Sequence, residues 1–148
     1  MSDFEEKRLA SNAYNRAQAS RYESLANQYQ KAYDKKKAEI EKLESARKEL
    51  SKQIQSYSEF RNTVSQYSTT ISTDTFKGTR RDTFDKTLSK IATTMNTHQN
   101  EHEMNLAKLD AEIAKRKLEL GDLGGAIGSA WNAVESFLAA ILGSKIDG

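Results

Sequence analysis

Hydrophobic and polar positions alternate with a helical period along most of the chain. From residue 22 onward one heptad position holds Tyr22, Tyr29, Lys36, Leu43, Leu50, Tyr57, Val64 and Ile71. A second holds Leu25 or Ala26, then Tyr33, Ile40, Arg47, Ile54, Phe60 and Tyr67. Steps of three and four residues put these side chains on one stripe of an α-helix. Between them the sequence is charged or polar, and Glu44 with Lys48 is one of several favourable i,i+4 pairs. Such pairs contribute only a few tenths of a kcal/mol each, so the stripe must hold the helix.

The stripe stops near Ile71, and "STDT" follows, residues that favour turns and caps. Phe76, Lys77 and Gly78 come next, a turn motif in which the glycine permits a backbone reversal and the phenylalanine can cover the end of the stripe. Thr79 and Asp82 have the spacing of a helix N-cap and its reciprocal acid. A second stripe then runs through Phe84, Leu88, Ile91, Met95, His98, His102, Leu106, Leu109, Ile113 and Leu120. "GDLGG" at 121–125 predicts its end, because glycine commonly follows a helix C-terminus.

Two long helices joined by a short connection predict an all-α fold, an antiparallel helical hairpin over residues 1–120 with its turn near 72–79. A turn centred at residue 76 makes facing residues sum to about 152. Val64 then faces Leu88, Ile40 faces Ile113 and Leu43 faces Leu109, so apolar meets apolar. Lys36 falls opposite Arg116, a mismatch that implies either frayed packing or an acidic partner residue at that level.

Residues 121–148 form the second predicted part, a glycine-rich joint and a short apolar C-terminal helix. Trp131, Val134, Leu138 and Ile141 lie on one stripe there, widened by Phe137. This helix either folds back on the hairpin or presents those five residues to a partner protein. Membrane contact is disfavoured by the lack of Lys and Arg on its polar face.

Composition narrows the function classes. The chain has 148 residues, no Pro and no Cys, 30% charged residues and a formal net charge of +2. Absence of proline permits long helices, and absence of cysteine removes disulfides and thiolate metal sites. The mixed charge fits a solvated, ion-paired surface and argues against nucleic-acid binding, and the run Lys35, Lys36, Lys37 sits among acids. The N-terminal residues carry no apolar signal segment. His98 and His102 have metal-pair spacing, but no third ligand stands at a fixed distance, so they read as seam residues facing Ile54 and Leu50. No phosphate loop, nucleophile motif or paired catalytic carboxylate occurs, so neither enzyme activity, a catalytic residue, a metal nor a cofactor is expected.

An aromatic-x-Gly turn between two long helices resembles the W-x-G proteins of bacterial type VII secretion. The heptad-rich "YESLANQYQKAYDKKKAEIEKLESARKEL", the "FKGTRRDTF" turn and "LAKLDAEIAKRKLEL" are similar to the YwqH-like family of small helical proteins associated with LXG toxins. Residues 22–120 carry the likeness, with Phe76 where that family usually has Trp and Gly78 matching its turn glycine. The resemblance implies an adaptor or targeting chaperone that binds the helical N-terminal domain of a cognate LXG toxin by helix packing. It further implies a cytoplasmic protein before export, with secretion or cell-envelope association through the type VII route. The export signal of that class is an aromatic followed four residues later by an acid. Trp131 and Glu135 have this spacing, which chance alone supplies roughly 1.7 times in such a chain. The readings that need no toxin are a self-associating coiled-coil structural protein and a membrane-active protein acting through residues 126–142.

Overall fold

The computed structural model describes residues 2–71 and 77–146, without the side chains of Ser68 and of 142–146. It is an antiparallel helical hairpin, α1 (Asp3–Ser65), a short α2 (Tyr67–Thr70) and α3 (Thr79–Ile146), with no strand among the described residues. The chain divides into two compact units. One joins Met1–Ile40 with Lys115–Gly148, and the other is Glu41–Ala114.

Helix α1 starts well ahead of the heptad repeat. Ser2 is its cap: the Glu5 amide donates to Ser2 Oγ at 3.2 Å and the Glu6 amide to the Ser2 carbonyl at 3.1 Å. Asp3, Glu5 and Glu6 crowd the first turn, where the helix dipole favours negative charge. At the other end hydroxyl groups compete for backbone carbonyls. Thr63 Oγ1 donates to Glu59, Ser65 Oγ to Asn62, and both Thr69 and Thr70 to Gln66. This back-bonding accompanies the step from α1 to α2 at Gln66.

The turn differs in detail from the sequence expectation. Phe76 lies outside the described residues. Gly78 has φ of 83°, a left-handed conformation that only glycine adopts without strain. It also takes the cap position expected of Thr79, which is already the first residue of α3, and the Asp82 amide closes the first helical bond onto the Gly78 carbonyl at 3.1 Å. Arg81 then fastens the reversal. Its side chain is buried, Nη1 donates to the Ile71 carbonyl at 2.7 Å, and Nε pairs with Asp85 at 3.1 Å. The guanidinium also lies 5.6 Å from the centre of the Phe84 ring. The end of α2 is therefore tied to the first two turns of α3 by one cation.

Glycine does not end the second helix at 121–125. Helix α3 runs through Gly121, Gly124, Gly125 and Gly128 to Ile146, so the glycine run does not interrupt it and the C-terminal segment is not a separate helix. Glycine terminates a helix only where the chain must turn into the left-handed region, and Gly78 alone has positive φ among the described glycines. The apolar side chains before and after the glycine run keep the helix seated.

In the Glu41–Ala114 unit the core is Val64, Leu88 and Met95, with Tyr57 and Phe84 packed against them. The expected meeting of Val64 with Leu88 is present. Ile40, Leu43, Leu109 and Ile113 turn inward within their own units, Ile40 and Ile113 being buried. Phe60 does not belong to the seam and is 59% exposed. The seven-residue step from Ile54 falls on Arg61, which donates to Asn96 Oδ1 on the facing helix. In α3, Ile91 and His98 are exposed and Gln99 is buried in their stead.

Two substitutions test the turn. Gly78→Ala meets no steric obstacle, so its cost is the left-handed backbone alone, about 1–2 kcal/mol by urea unfolding. Arg81→Ala removes the buried cation and its bond to the Ile71 carbonyl and costs about 2 kcal/mol in the same assay. Arg81→Lys recovers little of it, because an ammonium lacks the guanidinium fork.

Candidate partner-binding surface

The five residues expected to form a docking stripe are divided by the fold. Val134 and Ile141 are buried against the N-terminal part of α1 within their unit. Phe137 is half-buried, stacked on Tyr22 with ring centres 5.8 Å apart and set edge-on to Tyr14 at 6.3 Å. Trp131 and Leu138, seven residues apart, remain 40% and 46% exposed. The reason is the width of the apolar face. Helix α1 lies on one side of it and covers Ala130, Val134, Phe137 and Ile141, while the flank carrying Trp131 and Leu138 is left largely uncovered by the described residues. Glu135 is exposed on the turn after Trp131.

Other apolar groups are open to solvent in the same unit. Tyr22, Leu25 and Tyr29 of α1 form one wall of a groove of about 210 Å³ whose opposite side is made of Ala126, Ser129 and Ala130. Small side chains against large ones leave a furrow of the kind that accepts another helix's side chains. In the Glu41–Ala114 unit a second groove, of about 260 Å³, lies among Tyr57, Ile91, Met95 and His98 with Lys90 at its rim. Phe60 stands one turn beyond Tyr57. This neighbourhood is short of charge: residues 53–71 contain only Glu59 and Arg61, and 87–100 only Lys90, in a chain that is 30% charged. Exposed aromatics with few charges are the composition of interface centres.

The middle of the helices is built differently. Lys36 is bonded to Glu119, Glu39 to Arg116 at 3.0 Å, and Arg47 to Asp110 through both guanidinium and carboxylate. These pairs correct the expected register. Their residue numbers sum to 155 or 157 in place of the expected 152, which centres the reversal near Gly78 at this level of the helices. With that shift, Lys36 and Arg116 no longer face each other, and each finds its acid within the chain. The Lys36 ammonium, hydrogen-bonded to Glu119, holds that carboxyl below its ordinary range against an opposing effect of burial, and Lys115 and Arg116 add to the pull. Asp110 raises Arg47 above its already high value by the same kind of contact.

The histidines part company. His102 is half-buried, edge-on to Tyr57 at 5.8 Å and beside Leu50 and Ile54 as expected of a seam residue. His98 faces the open groove. Among the described residues no group of three or more potential ligands could hold a metal, and no helix is long and apolar enough to cross a membrane. In the turn motif Lys77 is exposed and Gly78 is the pivot. Arg81 was missed by sequence reasoning, although its place four residues before Asp85 and three after the glycine was a readable signal. Compared with models of protein families, with curated proteins and with solved structures, the chain matches none of them.

The seam pairs make a pH prediction. Glu119 titrates lower in the folded state than in the unfolded chain. Its contribution to stability is therefore complete at neutral pH and is lost as the pH falls through its folded value. Thermal unfolding across an acid titration will show the midpoint falling over the carboxylate range, and Glu119→Gln will lower the neutral-pH midpoint and flatten that limb.

Proposed function

We propose that this chain is a non-enzymatic helical adaptor that binds the N-terminal helical domain of an LXG toxin for type VII secretion. One observation carries the binding role. The chain exposes 10662 Å², whereas a compact monomer of 16.7 kDa exposes about 7,600 Å². The difference, about 3,000 Å², exceeds the roughly 800 Å² that each partner contributes to a standard interface. Part of that surface is apolar and grouped, as at Trp131 and Leu138 and around the furrow of Tyr22, Leu25 and Tyr29. Helices of a partner would extend the pair toward a bundle, in which each apolar flank gains a neighbour. The assignment of the partner as an LXG toxin rests on the "FKGTRRDTF" turn and the flanking helices, which resemble the YwqH-like proteins.

A second reading has its own support. The charge-poor surface around Phe60 and Ile91 could be covered by the same surface of a second copy, because such a contact brings few like charges together. That reading makes the chain a self-associating coiled-coil protein.

Co-expression with the N-terminal domain of a candidate LXG toxin separates the two. The adaptor reading expects one co-eluting complex at micromolar concentration, weakened at least tenfold by Trp131→Glu with Leu138→Glu. Separate elution, with light scattering that gives a stable homo-oligomer, overturns it in favour of self-association.

A further inference from the structure

Four of the seven glycines lie within eight residues of α3, at 121, 124, 125 and 128. Glycine inside a helix loses more backbone freedom than alanine and packs no side chain, so each weakens the helix locally. Such a weakness is explained where close packing forbids a Cβ. Here a Cβ on Gly121, Gly125 or Gly128 would meet nothing within 4 Å, and one on Gly124 would make an ordinary contact with the Tyr33 ring at 3.7 Å. Packing within the chain therefore requires none of the four.

The glycines also fall between two kinds of fastening. On their N-terminal side stand the interhelical ion pairs Lys36–Glu119 and Glu39–Arg116. On their C-terminal side α3 is held to α1 by Ala130, Val134, Phe137 and Ile141, through aliphatic burial and the rings of Tyr14 and Tyr22. That apolar attachment is local, so the segment leaves when its own contacts are lost and the turns before it open. Hydrogen-bonded helix next to a run of poor helix formers opens at the run first.

We propose that Gly121–Gly128 is a built-in breakpoint, at which the segment from residue 129 onward detaches from α1 as an arm while the Glu41–Ala114 unit stays folded. Detachment completes a face that the closed pair divides. Trp131 and Leu138 are already exposed, and release of Val134, Phe137 and Ile141 adds the other three residues of the same stripe. On the α1 side it frees Tyr22 from the Phe137 ring and exposes the buried Ala19 and Ala26. Resting on the adaptor reading, the open arm is the form that offers the whole five-residue stripe to a helix of the toxin.

Hydrogen exchange followed by mass spectrometry on the full chain tests the breakpoint. Amides of 129–141 are expected to exchange at least tenfold faster than those of 95–112. The triple variant Gly121→Ala, Gly125→Ala, Gly128→Ala, which introduces no clash, should slow 129–141 by about fivefold per position, roughly 100-fold together, with 95–112 unchanged. Ordinary fraying from the C-terminal end would be insensitive to substitutions at 121–128. Exchange of 129–141 that is slow in the natural protein, or fast and unmoved by the three alanines, overturns the proposal whatever the toxin does. Slowed exchange in the variant together with no toxin complex for the natural protein supports the breakpoint and counts against the adaptor reading alone.

Discussion

A helix with a single neighbour can hide only one stripe of its surface, and the remaining faces stay in water. Both units of this protein are such pairs, and the consequence is visible in what they bury. Among the described residues the buried apolar ones are ten, three of them alanine, and no large side chain is fully enclosed. A four-helix bundle would bury two stripes of every helix and fill its centre with Leu and Phe. Here the centre is a line of contacts, so the total length of the helices compensates for a thin core. The same geometry sets the surplus of exposed area and leaves Trp131, Leu138, Phe60 and Ile91 uncovered. The proposed binding role rests on this geometry more than on any single residue.

A thin seam of apolar heptads has a second consequence, since leucine and isoleucine tolerate many partners. Sliding one helix by seven residues would still set mostly apolar side chains against one another. The charged seam residues do not tolerate it. In one direction Lys36 would face Ala126, Glu39 would face Leu123 and Arg47 would face Lys117. In the other, Lys36 and Arg47 would find Glu112 and Glu103, but Glu39 would face Leu109. All three cations are matched only in the observed register. Half-exposed ion pairs add little to stability, and their value here is in choosing one alignment among several, the use for which polar seam residues are best attested.

The alternation of apolar and polar residues made the hairpin legible, because a period sustained over many turns leaves little room for another fold. Details that depend on one residue's geometry were less accessible. Phe60 looks like a seam member by hydrophobicity, whereas the heptad step selects Arg61, whose polar end reaches Asn96 across the pair. The register expected from the sequence holds at Val64 and Leu88 but not farther from the turn. Along the ion pairs the partners are displaced by three to five positions, as a reversal pivoting on the positive φ of Gly78 places them. Gly121–Gly128 was read as a stop because glycine is common past helix ends, but continuity is decided by the packed residues on both sides. For the candidate surface, periodicity found the stripe from Trp131 to Ile141 but could not say which of its members α1 would cover.

The two ends of α3 illustrate opposite uses of glycine. At its start, Gly78 stands where the backbone must adopt a conformation that other residues resist, and Arg81 adds a buried cation that ties the reversal to Ile71. Loss of either would be felt as a local defect in a fixed element. Near the other end, Gly121, Gly125 and Gly128 occupy ordinary helical positions with open space beside them, so alanine there would strengthen the helix at no steric cost. A sequence that places glycine where alanine is better has given up local stability, and the segment beyond is attached by aromatic and aliphatic contacts that lack the directionality of ion pairs. Aromatic rings such as Tyr14, Tyr22 and Phe137 can be re-used against a different helix with comparable burial. Such interchangeability is useful in a protein whose own pair leaves part of the apolar face uncovered, and it locates adaptability in the unit that also carries Trp131 and Leu138.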